Sequence, residues 1–158
     1  MNEDELKVLL EWWKDLENKK GDRAELKRAR APAEVVFCEA YHRLYNRILC
    51  NGRDKDKLAA IAGLAAHVKS HNEAVSVAEQ MAVPKTANNN NPIVSGLRFR
   101  RILAIKDTEE LYIPLIRAIK ILGGNVNLFD LAKSVYEWNE KTKKDWAYKY
   151  WKKAPQEK

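Results

Sequence analysis

SGLRFRRILAIKDTEELYIPLIRAIKILGG, residues Ser95 to Gly124, reads as two short helices joined at Asp107. In the first, Phe99, Ile102 and Leu103 recur at helical spacing and form one stripe for burial. Arg98 and Arg101 stand on the neighbouring face, and Arg100 lies on the opposite flank. In the second, Leu111, Tyr112, Leu115, Ala118, Ile119 and Leu122 share a face, while Arg117 and Lys120 sit together on the other side. A lone arginine on such a helix is ordinarily just solvated. Cations aligned over two successive helices, with no carboxylate among them, fit a phosphate-contacting surface better. Ser95 caps the first helix; Asp107 with Glu110 caps the second, and Gly123-Gly124 closes it. Pro114 lies deep enough to predict a kink or a late start.

Downstream, Asn127 opens a segment in which Leu128, Leu131, Val135, Trp138, Thr142, Trp146 and Tyr150 keep a single stripe, so Trp138 and Trp146 are expected in the core. Upstream, residues 83–92 hold Pro84, four asparagines in a row and Pro92, the composition of a mobile linker. It divides the chain into an N-terminal helical bundle, residues 1–90, and a C-terminal basic bundle, residues 91–158. Within the first, Asn2 with Glu5 starts a helix carrying Leu6, Leu9, Leu10, Trp13 and Leu16 up to Gly21. Asp22 to Glu25 is a capping box for a helix from Arg23 to Arg30, with Arg23, Lys27 and Arg30 on its exposed side. Pro32 suits the first turn of a helix running to about Leu49, with Phe37, Tyr41, Leu44, Tyr45 and Ile48 inward. Asp54 or Asp56 caps a helix striped by Leu58, Ile61, Ala62, Ala65 and Val68. Ser76 to Glu79 is a further capping box, opening a helix that ends near Met81. No stretch alternates with period two, so the expected fold is all-α, two packed bundles of about eight helices and no sheet.

Charge is unevenly spread. The 158 residues carry a formal +7, and residues 91–158 hold 14 Lys/Arg against 8 Asp/Glu. A second excess lies between Lys19 and Arg30. A polyanionic partner is the natural complement. Only two cysteines occur, Cys38 and Cys50, in a chain long enough to bury a core without staples; both are expected as reduced thiols of a cytoplasmic protein. No apolar run approaches the roughly 20 residues of a spanning helix, so no membrane partner is expected.

Other constellations fail on chemistry. His67 and His71 have a spacing that could grip a metal, but no Cys or carboxylate pattern completes the ligand set. There is no phosphate-cradling glycine loop, GxSxG or HExxH, so no catalytic residue, metal or cofactor is expected. Trp13, Trp138 and Trp146 fall on apolar stripes, whereas Trp12, Tyr148 and Trp151 are candidates for a protein interface or for base stacking. A free-standing helical DNA-binding transcriptional regulator is the alternative, with Leu58–Val68 and its neighbour as a helix-turn-helix. Its second helix, Val77-Ala78-Glu79-Gln80, is poor in base-reading side chains.

The order of features resembles the small subunit (CasB family) of the type I-E CRISPR surveillance complex, Cascade. The similarity rests on Trp13…Leu16…Gly21, Ala24-Glu25-Leu26-Lys27-Arg28-Ala29, Pro32 and Tyr41-His42-Arg43-Leu44. It continues through Ala66-His67-Val68, Ser76 to Met81, Ser95 to Leu103, Glu110-Leu111…Leu115-Ile116-Arg117 and Asp130-Leu131…Trp138…Trp146-Ala147…Tyr150. The resemblance implies an all-α, non-enzymatic subunit, present as two copies in a ribonucleoprotein with crRNA, target DNA and the other Cascade subunits. It also implies antiviral defence by stabilising the R-loop, with nucleic-acid contacts from Lys27, Arg28, Arg98, Arg101, Arg117 and the Lys141–Lys144 segment. Ala104 and Ile113 stand where related sequences often carry arginine. Lys106 or Lys120 is the alternative source of charge there.

Overall fold

The computed structural model describes residues 1–48 and 54–155. Everything in it is arranged around a helix that is apolar on all sides. That helix, α5 (Lys55–Ala65), buries every residue from Leu58 to Ala65, which is possible only at the centre of a fold. Its N-cap is Asp54, whose side chain accepts from the amides of Asp56 and Lys57. Small residues on α5 let its neighbours come close. Gly63 lies under the Tyr112 ring, where an added Cβ would stand 2.2 Å from the hydroxyl.

Around it run α1 (Glu3–Asp15), a 3-10 turn at Leu16–Asn18, α2 (Lys20–Arg28), α3 (Pro32–Val35) and α4 (Glu39–Ile48). Then follow α6 (Val77–Ala82), α7 (Gly96–Leu103), α8 (Thr108–Ile121), α9 (Leu128–Tyr136) and α10 (Glu140–Lys153). Helices α3, α4, α8 and α9 pack directly on α5, and α10 packs on α6, so one apolar cluster spans both halves. No helix among the described residues is long and apolar enough to cross a membrane.

Two small sheets correct the expectation of none. β1 (Ser70–His71) pairs in parallel with β4 (Asn125–Val126). The pairing is possible because Gly123 and Gly124, at φ of 70° and 80°, turn the chain sharply after α8 and present the Gly124 carbonyl to the amides of Lys69 and Ser70. β2 (Pro84–Thr86) and β3 (Asn89–Pro92) form an antiparallel hairpin, so the asparagine-rich segment is a structured connection. Its exit is held by the Val94 carbonyl, which accepts from the Tyr150 hydroxyl at 2.6 Å.

Several helix boundaries also differ from the sequence expectation. α2 begins at Lys20, so Asp22 lies inside it and bonds Arg43 instead of capping. Its Arg23, expected on the exposed side, is half-buried and donates to the carbonyls of Ala66 and Val68, satisfying the end of α5. The helix expected from Pro32 to Leu49 breaks over residues 36–38; its expected end at Leu49, and Cys50, lie outside the described residues. The break turns Phe37 outward, 88% exposed, where an inward position was expected. Cys38 is buried, and desolvation pushes its thiol up to about 11. The last stripe is likewise two helices, because Asn139 caps α10 and Thr142 donates back to the Glu137 carbonyl. Trp138 and Trp146 are nevertheless buried. α8 starts at Thr108 and continues unbroken past Pro114, so the start is not late. Trp12 is core, with its indole N–H donating to the Ala40 carbonyl at 2.8 Å.

Candidate nucleic-acid interface

The roll of α7 about its axis is set by two aromatic rings. Phe99 stacks on Tyr150 with centroids 3.8 Å apart and planes 7° from parallel, and Ile102 is buried beside it. Ser95 caps the helix by accepting from the Arg98 amide, which holds the first turn in place. With that face inward, Arg98 and Arg101 project along the flank toward α8. α8 is set in turn by Leu111, Tyr112, Leu115, Ala118 and Ile119, all buried, which leaves Arg117 outward.

The two helices thus enclose a cleft of about 380 Å³. Arg98, Arg101 and Arg117 line it together with an apolar floor that includes Ile102, Ile105, Pro114 and Ile121. All three arginines are exposed, and none makes an ion pair among the described residues. Guanidinium groups that are free of carboxylates and fan over one concavity are suited to phosphate oxygens. Lys106 and Lys120 are exposed but outside this cleft.

The other cationic candidates lie elsewhere. Lys27 on α2 and Lys120 on α8 converge electrostatically on His67, which is buried with its Nε2 unpartnered among the described residues. Desolvation, then the charges of Lys27, Lys120 and Arg23, hold that imidazole down at about 4, so it is neutral at pH 7. Arg28 is exposed at the end of α2, and Lys141 is exposed on the first turn of α10. Lys144 lies beside Tyr148 and Trp151. Lys143 is spent on structure, with its ammonium 5.8 Å from the Trp138 ring centroid.

The histidine pair is not arranged as a ligand set. His71 Nδ1 accepts from the Leu128 amide, and its Nε2 lies 3.3 Å from Glu73. Among the described residues no group of three or more His, Cys, Asp or Glu is placed to hold a metal. The helix-turn-helix alternative loses its recognition helix. α6 buries Val77, Ala78, Gln80, Met81 and Ala82, and Gln80 is occupied in accepting from the Asn127 amide.

Sequence periodicity alone did not reveal the apolar floor of the cleft, since Ile105 lies past the end of α7 and Pro114 read as a defect. It also missed Lys152, which joins Lys144, Tyr148 and Trp151 around a second groove. Their spacing along the outer face of α10 was the available signal.

A search of curated protein sequences returns no match. Among solved structures, a chain in the crystal structure of E. coli Cascade bound to a PAM-containing dsDNA target has a similar fold. Its TM-score is 0.71 at 14% identity, covering 93% of this chain and 94% of that one. The family model for CRISPR-associated protein Cse2 matches residues 22–151. With that match over most of its length, the chain belongs to the Cse2 (CasB) family of type I-E Cascade small subunits.

Proposed function

We propose that the protein is a non-catalytic, cytoplasmic nucleic-acid-binding subunit of Cascade, acting with crRNA, target DNA and the other subunits to prolong the R-loop in antiviral defence. In this reading it is present as two copies. The observation that carries it is the convergence of Arg98, Arg101 and Arg117, unpaired among the described residues, on one cleft. Phosphate contacts of this kind position a strand without reading its sequence. Exchange of a DNA duplex for a guide–target heteroduplex is nearly balanced, so a few backbone contacts decide how long the open state lasts. Lys27, Arg28, Lys120, Lys141 and Lys144 extend the cationic surface in this proposal, on other parts of the molecule.

The test is target-DNA dissociation from complexes assembled with wild-type subunit, with Arg101→Ala, or without the subunit. Guide pairing should survive in all three, and the R-loop should be shorter-lived in the last two. Equal off-rates for all three defeat the proposal. Faster release only from the complex lacking the subunit would make the protein a scaffold and the cleft irrelevant.

A further inference from the structure

Four of the five tryptophans are buried, at 8% exposure or less, and the fifth is not: Trp151 is 47% exposed, and Tyr148, one turn earlier on α10, is 80% exposed. The two rings flank a shallow groove with Lys144 and Lys152. Trp151 is held in position from beneath. Its ring meets Phe99 and Tyr150 edge-on, with centroids 6.3 and 4.8 Å away, and the Arg100 guanidinium lies 5.9 Å from its centroid. An added Cβ on Gly96 would stand 3.0 Å from the ring, so a glycine at that position lets the indole lie close against the start of α7.

A protein-binding patch is normally poor in lysine at its centre. Here the rings are bordered by Lys144, Lys152 and Arg100, and among the described residues no carboxylate lines the groove. Pre-positioned aromatic faces among cations are the composition of a stacking platform for unpaired bases. We propose that Tyr148 and Trp151 stack bases of a single strand while Lys144 and Lys152 take its phosphates. The inference rests on the nucleic-acid reading above but concerns a different face of α7, the Arg100 flank and not the Arg98–Arg101 flank.

Trp151 supplies its own probe, because it is the exposed indole. Titration of the full chain with a thymidine oligonucleotide should quench its fluorescence, and an abasic oligonucleotide of equal length should bind more weakly without quenching. Tyr148→Ala, at a ring too exposed to matter for folding, should weaken thymidine binding roughly tenfold and leave abasic binding unchanged. Trp151→Phe should retain most of the affinity and Trp151→Ala should lose it. These ring variants should leave the salt slope intact, whereas Arg101→Ala should lower it by about one. Binding weakened by Arg101→Ala but without quenching, and indifferent to Tyr148→Ala, overturns the platform and leaves the cationic cleft standing. No binding of either oligonucleotide overturns both. Protection of Trp151 from acrylamide only on assembly with the other subunits, before any target is added, would make the groove a protein interface and overturn the platform.

Discussion

Trp146 shows how one side chain can carry packing and polarity together. It is 1% exposed, its indole N–H donates to Ser134 Oγ at 2.9 Å, and its ring meets Trp138 edge-on at 5.1 Å. Trp146→Ala should therefore cost roughly 3–5 kcal/mol in denaturant unfolding, because the cavity and the orphaned hydroxyl add to the lost burial. His67 makes a second, pH-dependent case. Its folded pKa of about 4 lies below the ordinary 6.5, so the unfolded chain binds the extra proton between those values. Stability then rises with pH across that window. It is complete above about 6.5 and falls as pH drops toward 4, by up to about 3 kcal/mol. Urea midpoints measured from pH 4 to 7 should slope upward, and His67→Gln should flatten that part of the slope.

Helix packing depends on small residues where two elements meet closely. α5 and α8 approach through Gly63 and Tyr112, whose hydroxyl also donates to the Ala29 carbonyl at 3.2 Å. Gly63→Ala removes backbone freedom from the unfolded chain, which alone would stabilise slightly. The steric term dominates, because the added carbon meets the buried Tyr112 hydroxyl, which its bond to the Ala29 carbonyl holds in place. The expected outcome is a loss of about 1–3 kcal/mol, partly recovered when Tyr112→Phe removes the nearest atom. A double-mutant cycle of thermal or denaturant melts measures the coupling.

Across the whole protein, the +7 charge matters less than where it remains unpaired. Arg43 and Arg47 are tied to Asp22 and Glu11, while the cleft arginines have no such partners among the described residues. Binding of the isolated chain to single-stranded or duplex nucleic acid should be weak, indifferent to sequence and steeply salt-dependent. Replacing Arg98, Arg101 and Arg117 together by Ala should lower the slope of log K against log salt by about three. Replacing the paired Arg43 and Arg47 should change it far less. Fluorescence anisotropy at several salt concentrations distinguishes the two.

Local chemistry determined much of this protein. Caps at Asn2, Asp54, Ser76, Ser95, Asp107 and Asn127 are legible because a side-chain acceptor beside free amides acts over only a few residues. The mostly helical character and the buried stripes of α7 to α10 follow from periodicity, and the cationic flank of α7 follows from the same geometry. What required the tertiary structure is anything settled between distant segments. Arg23 looked solvent-facing until the end of α5 supplied carbonyls for it, and Phe37 looked buried because nothing nearby announced the break before α4. The parallel β1–β4 pair needs partners far apart in the chain, Ser70 beside Asn125. The same holds for the cleft: three arginines and an apolar floor become one site only because Phe99 on Tyr150, and α8 on α5, fix two helices against each other.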